Sequence, residues 1–295
     1  MSQALSRRSF VSSLVTATGA ASILRAQAAP EAPKIFGKPV GLQLYSLREY
    51  IPKDVPGTLA KIHAMGIRDI EGGSDYKMGV EPFKAAVKSA GLKLTSAHFG
   101  YEDWAKDTGA QVARGKAFEL PLVGCAWIPH QKSGFKREDA ARAAADFNKW
   151  GKAAKDAGMR YFYHLHGYEF QASPEGTFFD LLAKETDAAL VFFQADVFWL
   201  THGGANPVAL FEKYPKRWVS THLKDMKRGT PVGLTTGQAD VEANVTLGTG
   251  TIDWPSVLRA ANKAGVERHF IEDESSRVLE QVPKTLDYLR GLKLS

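Results

Sequence analysis

The stretch YFYHLHGYEF at residues 161–170 sets His164 and His166 one residue apart and follows them with Glu169. Imidazoles and a carboxylate at that spacing could ligate a divalent cation or pass protons near neutral pH. Similar groups recur along the chain. His98 and His130 precede the stretch; Asp196, His202, His222, Lys224, Asp225, Glu272, Asp273 and Glu274 follow it. The lone cysteine, Cys125, lies in the apolar run LPLVGCAWIP and reads as a small core residue rather than a nucleophile.

Something must bring these scattered groups together. From residue 36 the chain alternates apolar, β-branched runs with helical stretches about eight times. Strands are predicted at 40–46, 67–73, 92–98, 120–127, 159–166, 189–196, 218–225 and 268–273. Eight parallel strands crossed by helices give an α/β class fold, a single (β/α)8 TIM barrel over residues 36–295. The helices before strands two, three, five and eight end in Gly66, Gly91, Gly158 and Gly265, each a left-handed cap. Pro174, Pro207 and Pro255 are placed in early helical turns. Residues 228–250 carry neither helical nor strand period, which marks a candidate lid or a contact between copies in a homo-oligomer.

A barrel of this kind carries its chemistry at the C-terminal strand ends. Six of the eight histidines fall at that rim, the exceptions being His63 and His269. Alternation puts His164 and His166 on one side of strand five, with Glu169 just beyond. Strands five to eight deliver Glu, Asp, His and Glu to one face, and carboxylates crowded together call for a cation to neutralise them.

The N-terminal segment has its own logic. Arg7 and Arg8 precede a weakly apolar stretch and Ala26-Gln27-Ala28, the pattern of a twin-arginine signal over residues 1–28. Cleavage near Ala28 would release a periplasmic or otherwise exported protein with no stable membrane anchor, since the apolar stretch is short and rich in Ser, Thr and Gly. The formal charge is +6, and the segment removes Arg7, Arg8 and Arg25 but no acid. The small remaining excess argues against a nucleic-acid partner.

The motifs GLQLYSLR (41–48), HLHGYEF (164–170), DVFWLTHGGANPVALFEKYPKRWVSTHLKDM (196–226), GTGTIDW (248–254) and FIEDE (270–274), in this order and spacing, resemble the xylose isomerase-like TIM barrel superfamily of sugar phosphate isomerases and epimerases. The resemblance covers nearly all of the chain after the signal. It implies one divalent ion held by Glu169, Asp196, His222 and Glu272, with Mn, Mg or Co suited to such a donor set and Zn also compatible. In several relatives the strand-five glutamate lies on the strand itself, where this chain has Tyr163, His164 or Leu165, so His164 is the alternative ligand. Relatives more often read His-Asn-His where this chain has Leu165.

The resemblance further implies a small carbohydrate substrate. Glu272 or Glu169 would serve as the base next to a carbonyl, His164 or His166 as the proton shuttle, and Lys224 as a contact to substrate oxygen or a partner of Asp225. Tyr45, Trp127 and Trp199 offer stacking faces, Arg48 a hydroxyl or phosphate clamp, and His98, His130 and His202 further polar contacts. The leading expectation is a metal-dependent isomerase or epimerase working through an enediolate. The alternatives are a lyase or hydratase acting on 3-keto-glycosides and a carbohydrate-binding barrel without catalysis. An endonuclease-like phosphodiesterase fits the exported location and modest charge poorly.

Overall fold

A computed structural model describes residues 30–132, 134–174 and 176–294; the predicted signal segment lies outside them. Eight parallel strands form a closed barrel: β1 (Lys38–Gln43), β2 (Asp69–Gly72), β3 (Lys93–His98), β4 (Leu122–Cys125), β5 (Arg160–His164), β6 (Val191–Asp196), β7 (Trp218–Leu223) and β8 (Arg268–Ile271). Each strand pairs with its sequence neighbours, and β8 pairs with β1 to close the ring. Every expected strand is present, shorter by a few residues because several strand ends turn away from the ladder to form the rim.

The glycine caps account for the spacing. Gly66, Gly91, Gly158 and Gly265 all take positive φ, which lets each helix reverse into the next strand. Pro207 and Pro255 sit in the first turns of helices Pro207–Lys213 and Trp254–Ala264. Pro174 does not. It lies in the turn between two short antiparallel strands, Ala172–Ser173 and Gly176–Thr177, and the next helix begins at Phe178 under a Thr177 and Asp180 capping box.

Two cores hold the barrel. Outside it, Trp104 and Trp150 stack at 5.8 Å beside Phe147 and Tyr161, locking the helix Arg137–Asp156 onto β5. Inside, Leu122, Phe162 and Val219 form an apolar layer with Phe192 packed against it. Two residues further along β5 and β6 the interior positions become His164 and Gln194, and the next such position on β6 is Asp196. The barrel thus changes from apolar to polar toward the strand ends. Cys125 belongs to the core: Tyr161 donates to its sulfur at 3.3 Å, and burial pushes the thiol up to about 12.

Residues 228–250 are structured by Asp225 rather than by a helical or strand period. Asp225–Met226 pairs antiparallel with Asn244–Val245, and the Asp225 carboxylate accepts from the amides of Gly248 and Gly250 at 2.8 and 3.1 Å. Gly237, at φ +66°, brings this loop onto the rings of Tyr168 and Trp127; a Cβ there would lie 2.8 Å from Tyr168.

Candidate active site

A cleft of 540 Å³ opens at the C-terminal end of the barrel, lined among others by Tyr45, Arg48, His98, Trp127, His164, His166, Trp199, Gly237, Glu272 and Glu274. Its floor is a cluster of buried ionisable groups. The parallel register sets His222 beside Asp196 on β6 and beside Phe270, two residues before Glu272, on β8. His164, Asp196, His222 and Glu272 each offer one donor atom within 4.8 Å of the others, and all four are buried. His222 Nδ1 lies 3.0 Å from Glu272 Oε2 and 3.6 Å from Asp196 Oδ2.

Two charged groups already occupy this corner. The Lys224 ammonium is 3.2 Å from Asp196 Oδ2, 2.8 Å from Glu272 Oε2 and 2.5 Å from Glu274 Oε1. Burial opposes its charge, but Asp196, Glu272 and Glu274 hold it well above the usual lysine range. His222 is likewise disfavoured as a cation by burial yet held up by Glu272 and Glu71. Glu272 is pushed up by burial, and Lys224 and His222 together bring it well below the usual carboxylate range. The alternative reading of Lys224, a pairing with Asp225, does not hold: the Asp225 carboxylate is engaged by loop amides while the lysine pairs with Asp196, Glu272 and Glu274.

Glu169 requires a correction. Its carboxylate is fully buried behind the cleft wall, accepts from the Tyr163 hydroxyl at 2.5 Å and from the His166 amide, and is not in the cluster. The two residues between His166 and Glu169 form a tight turn, with Gly167 at φ 91°, that folds the side chain back against the strand. His164 stands in the cluster where Glu169 was expected, and Glu169 does not line the cleft. The Tyr168 hydroxyl receives the Ile128 amide at 2.9 Å and lies 2.7 Å from Tyr163, so the carboxylate ends a relay of donors. Burial raises Glu169 to about 7.

The three imidazoles lining the cleft differ from His222. Burial lowers His98, drives His164 well below its ordinary value and takes His166 down to about 3. All three are therefore neutral at physiological pH. His166 Nδ1 has no hydrogen-bond partner, and its ring lies between Trp127 and Trp199 at 5.3 and 5.6 Å.

Among the expected substrate contacts, Tyr45, Arg48, His98, Trp127 and Trp199 line the cleft, and Arg48 is tied by its guanidinium to the Glu274 carbonyl at 2.8 Å. Two do not line it. His130 stacks on the outer side of Trp127 at 5.1 Å with Nδ1 on the Ile128 carbonyl, and His202 is buried against Phe198 at the end of helix Val197–His202. Both lie beyond the strand ends, His130 in the loop after β4 and His202 at the last residue of the helix that follows β6. Sequence reasoning passed over Glu71 on β2, fully buried and 2.5 Å from His222 Nε2, together with Gln43, Ser96 and Gln194 around it. An acid at the C-terminal end of a buried parallel strand was the available signal.

A cation fits this corner on the geometry alone. The carboxylates of Asp196 and Glu272 and the imidazoles of His164 and His222 each bring one donor atom within 4.8 Å of the others, the Lys224 ammonium supplies the positive charge there, and this mixed oxygen and nitrogen donor set is one divalent metals accept. Comparison with known proteins agrees with the architecture. Residues 59–292 match the model of the xylose isomerase-like TIM barrel family. The chain belongs to that family.

An inosose dehydratase of Clostridium beijerinckii is 29% identical over 182 residues, 55% of this chain and 60% of the relative. The chain thus spans about three-fifths of the length of the curated relatives it matches. A sugar phosphate isomerase/epimerase from Parabacteroides distasonis is 25% identical with a TM-score of 0.72, covering 88% of this chain and 95% of that one. A xylose isomerase-like barrel from Mycobacterium smegmatis, solved in complex with magnesium, shares the fold at a TM-score of 0.65 and 14% identity, over 87% and 97% of the two chains. Relatives in this family are enzymes acting on small sugar-like substrates.

Proposed function

We propose that this chain is a divalent-metal-dependent lyase that removes water from a keto-sugar or keto-polyol. The observation that carries the reading is the pairing, in one cleft, of neutral imidazoles with a carboxylate-rich corner shaped for a cation. The name of the Clostridium relative, which gives inosose as substrate and dehydration as reaction, supports it. So does elimination chemistry itself, which needs a base for carbon and an acid for the leaving group.

His164, Asp196, His222 and Glu272 would hold the ion, which when bound supplies Lewis-acid stabilisation of negative charge on a carbonyl oxygen. His166, neutral and unpartnered at Nδ1, takes the proton from the carbon next to the carbonyl. The C–H electron pair becomes the C=C bond of an enolate. The carbonyl then reforms as the C–O bond to the neighbouring hydroxyl breaks, and the imidazolium returns its proton to the departing oxygen, so water leaves and His166 is restored. Lys224 adds positive charge to the carboxylate-rich floor beneath the cleft, and Trp127, Trp199 and Tyr45 exclude water from the ring's faces.

An isomerase or epimerase is the second reading, supported by the Parabacteroides structure. Incubating the metal-loaded protein with inosose and with free keto-sugars in D₂O separates the two. Loss of water with formation of a conjugated product supports the lyase; deuterium incorporation with retention of every hydroxyl supports the isomerase. Neither change, across both substrate types, refutes an enolising enzyme and leaves carbohydrate binding. Export by the twin-arginine route belongs to the same proposal and rests on Arg7, Arg8 and the Ala26-Gln27-Ala28 site.

A further inference from the structure

Glu71 is the hub of a buried network that fixes hydrogen positions throughout the cleft floor. Its carboxylate accepts from Gln43 Nε2 at 2.8 Å, Ser96 Oγ at 2.5 Å, Gln194 Nε2 at 2.9 Å and His222 Nε2 at 2.5 Å. An ionised carboxylate only accepts, so the Gln194 amide must direct its NH₂ toward Glu71, with Ser220 Oγ at 2.8 Å as a further partner. The Gln194 carbonyl oxygen is thereby turned the other way. It meets His98 Nε2 and His164 Nδ1, each at 2.8 Å. A carbonyl oxygen also only accepts, so both of those nitrogens carry protons.

We infer that Glu71, through Gln194, is the positioning residue that sets which nitrogen of His98 and of His164 bears the proton, while it takes the Nε2–H of His222 directly. His98 keeps Nδ1 as its acceptor and His164 keeps Nε2. His222 donates Nε2–H to Glu71 and turns Nδ1 toward Asp196 and Glu272. The same arrangement orients imidazoles around metals, where an acidic or carbonyl partner on the far nitrogen fixes the near one. The assignment follows from donor and acceptor roles alone and stands whichever reaction the cleft performs; only its link to metal affinity rests on the function proposed above.

The test is a two-bond ¹H–¹⁵N correlation spectrum of the histidine-labelled, metal-free chain. The expected result is a proton on Nδ1 of His164 and on Nε2 of His98. In Glu71→Gln the new carboxamide can donate to Gln194, the Gln194 amide reverses, and the two protons move to Nε2 of His164 and Nδ1 of His98. Gln194→Leu, which needs no reversal, removes the common acceptor and leaves both tautomers mixed. Mn²⁺ affinity falls about 10- to 100-fold in Glu71→Gln, the usual effect of losing an outer partner of a ligating histidine. A proton on Nε2 of His164 in the unaltered chain, or unchanged tautomers in both variants, overturns the inference. Shifted tautomers with unaltered Mn²⁺ affinity keep the positioning role and remove the metal reading instead.

Discussion

Replacing Lys224 by Met tests whether the cation corner is real. The ammonium is buried and lies within 3.2 Å of carboxylate oxygens of Asp196, Glu272 and Glu274. Removing one member of such a buried set leaves uncompensated charge and costs about 3–5 kcal/mol, which for a domain of this size lowers the melting temperature by about 6–20 °C. A divalent ion at the same corner would contact Asp196 and Glu272, the oxygens the ammonium now holds. In the unaltered chain the ion must displace that ammonium toward Glu274; in Lys224→Met nothing competes. The loss should therefore be large in chelator and shrink with metal, since saturation at 100 times Kd contributes about 2.7 kcal/mol. Thermal melts of both proteins with EDTA and across a Mn²⁺ series give the answer, and calorimetry should show tighter Mn²⁺ binding by the variant. Equal destabilisation with and without Mn²⁺, together with unchanged affinity, would show that no cation binds where Lys224 lies.

Asp196→Asn and His222→Ala should each lower the metal content of purified protein, read by elemental analysis; full stoichiometry in both would move the ion elsewhere. Glu272→Gln should lower turnover and metal content together with far-UV circular dichroism retained, because it removes a charged donor from the four that would hold the ion; near-normal turnover would take Glu272 out of the site. His269, buried on β8 with Nδ1 on Thr221 at 2.7 Å, is lowered by burial to about 3. Because its folded value lies below the unfolded one, its stability contribution is complete above about pH 6.5 and is lost as pH falls toward 3, by up to about 5 kcal/mol; urea midpoints of His269→Gln should flatten across that window. Arg7→Lys with Arg8→Lys should leave unprocessed precursor in the cytoplasm, seen on fractionation, and normal export would remove the twin-arginine reading.

What the sequence made legible was whatever obeyed a period or a cap. The strands carry apolar runs of the right length and the helices stop at glycines, so the barrel could be drawn from residue types alone. The rim histidines were legible for the same reason: a strand end is a position, and position was enough to gather His98, His164, Asp196, His222 and Glu272. Glu169 was misplaced because strand position says nothing about a turn. Once Gly167 takes a left-handed φ, the chain folds back and the carboxylate finds Tyr163 rather than the cleft. His130 and His202 fail for the same cause, each lying beyond a strand in a segment whose direction no periodicity encodes. Glu71 was missed for the opposite reason. It sits within a strand, where an isolated acid reads as core, and only the closed barrel brings Gln43, Ser96, Gln194 and His222 from four other strands onto it.

The energetic character of the floor argues for function over stability. Glu71, Asp196, Glu272 and Lys224 are all buried within one barrel end, and taking each charge out of water costs several kcal/mol that apolar packing of equal volume would avoid. The barrel shows that such packing is available, since one layer below, β4, β5 and β7 offer Leu122, Phe162 and Val219. Glu71 accepts from Gln43, Ser96, Gln194 and His222, while Asp196 Oδ2 faces the Lys224 ammonium at 3.2 Å. A layer that crowds carboxylates around one buried lysine and one buried histidine has the polarity of a binding site. The ammonium of Lys224 then holds that place in the metal-free chain, which keeps the carboxylates from repelling one another until a doubly charged ion displaces it.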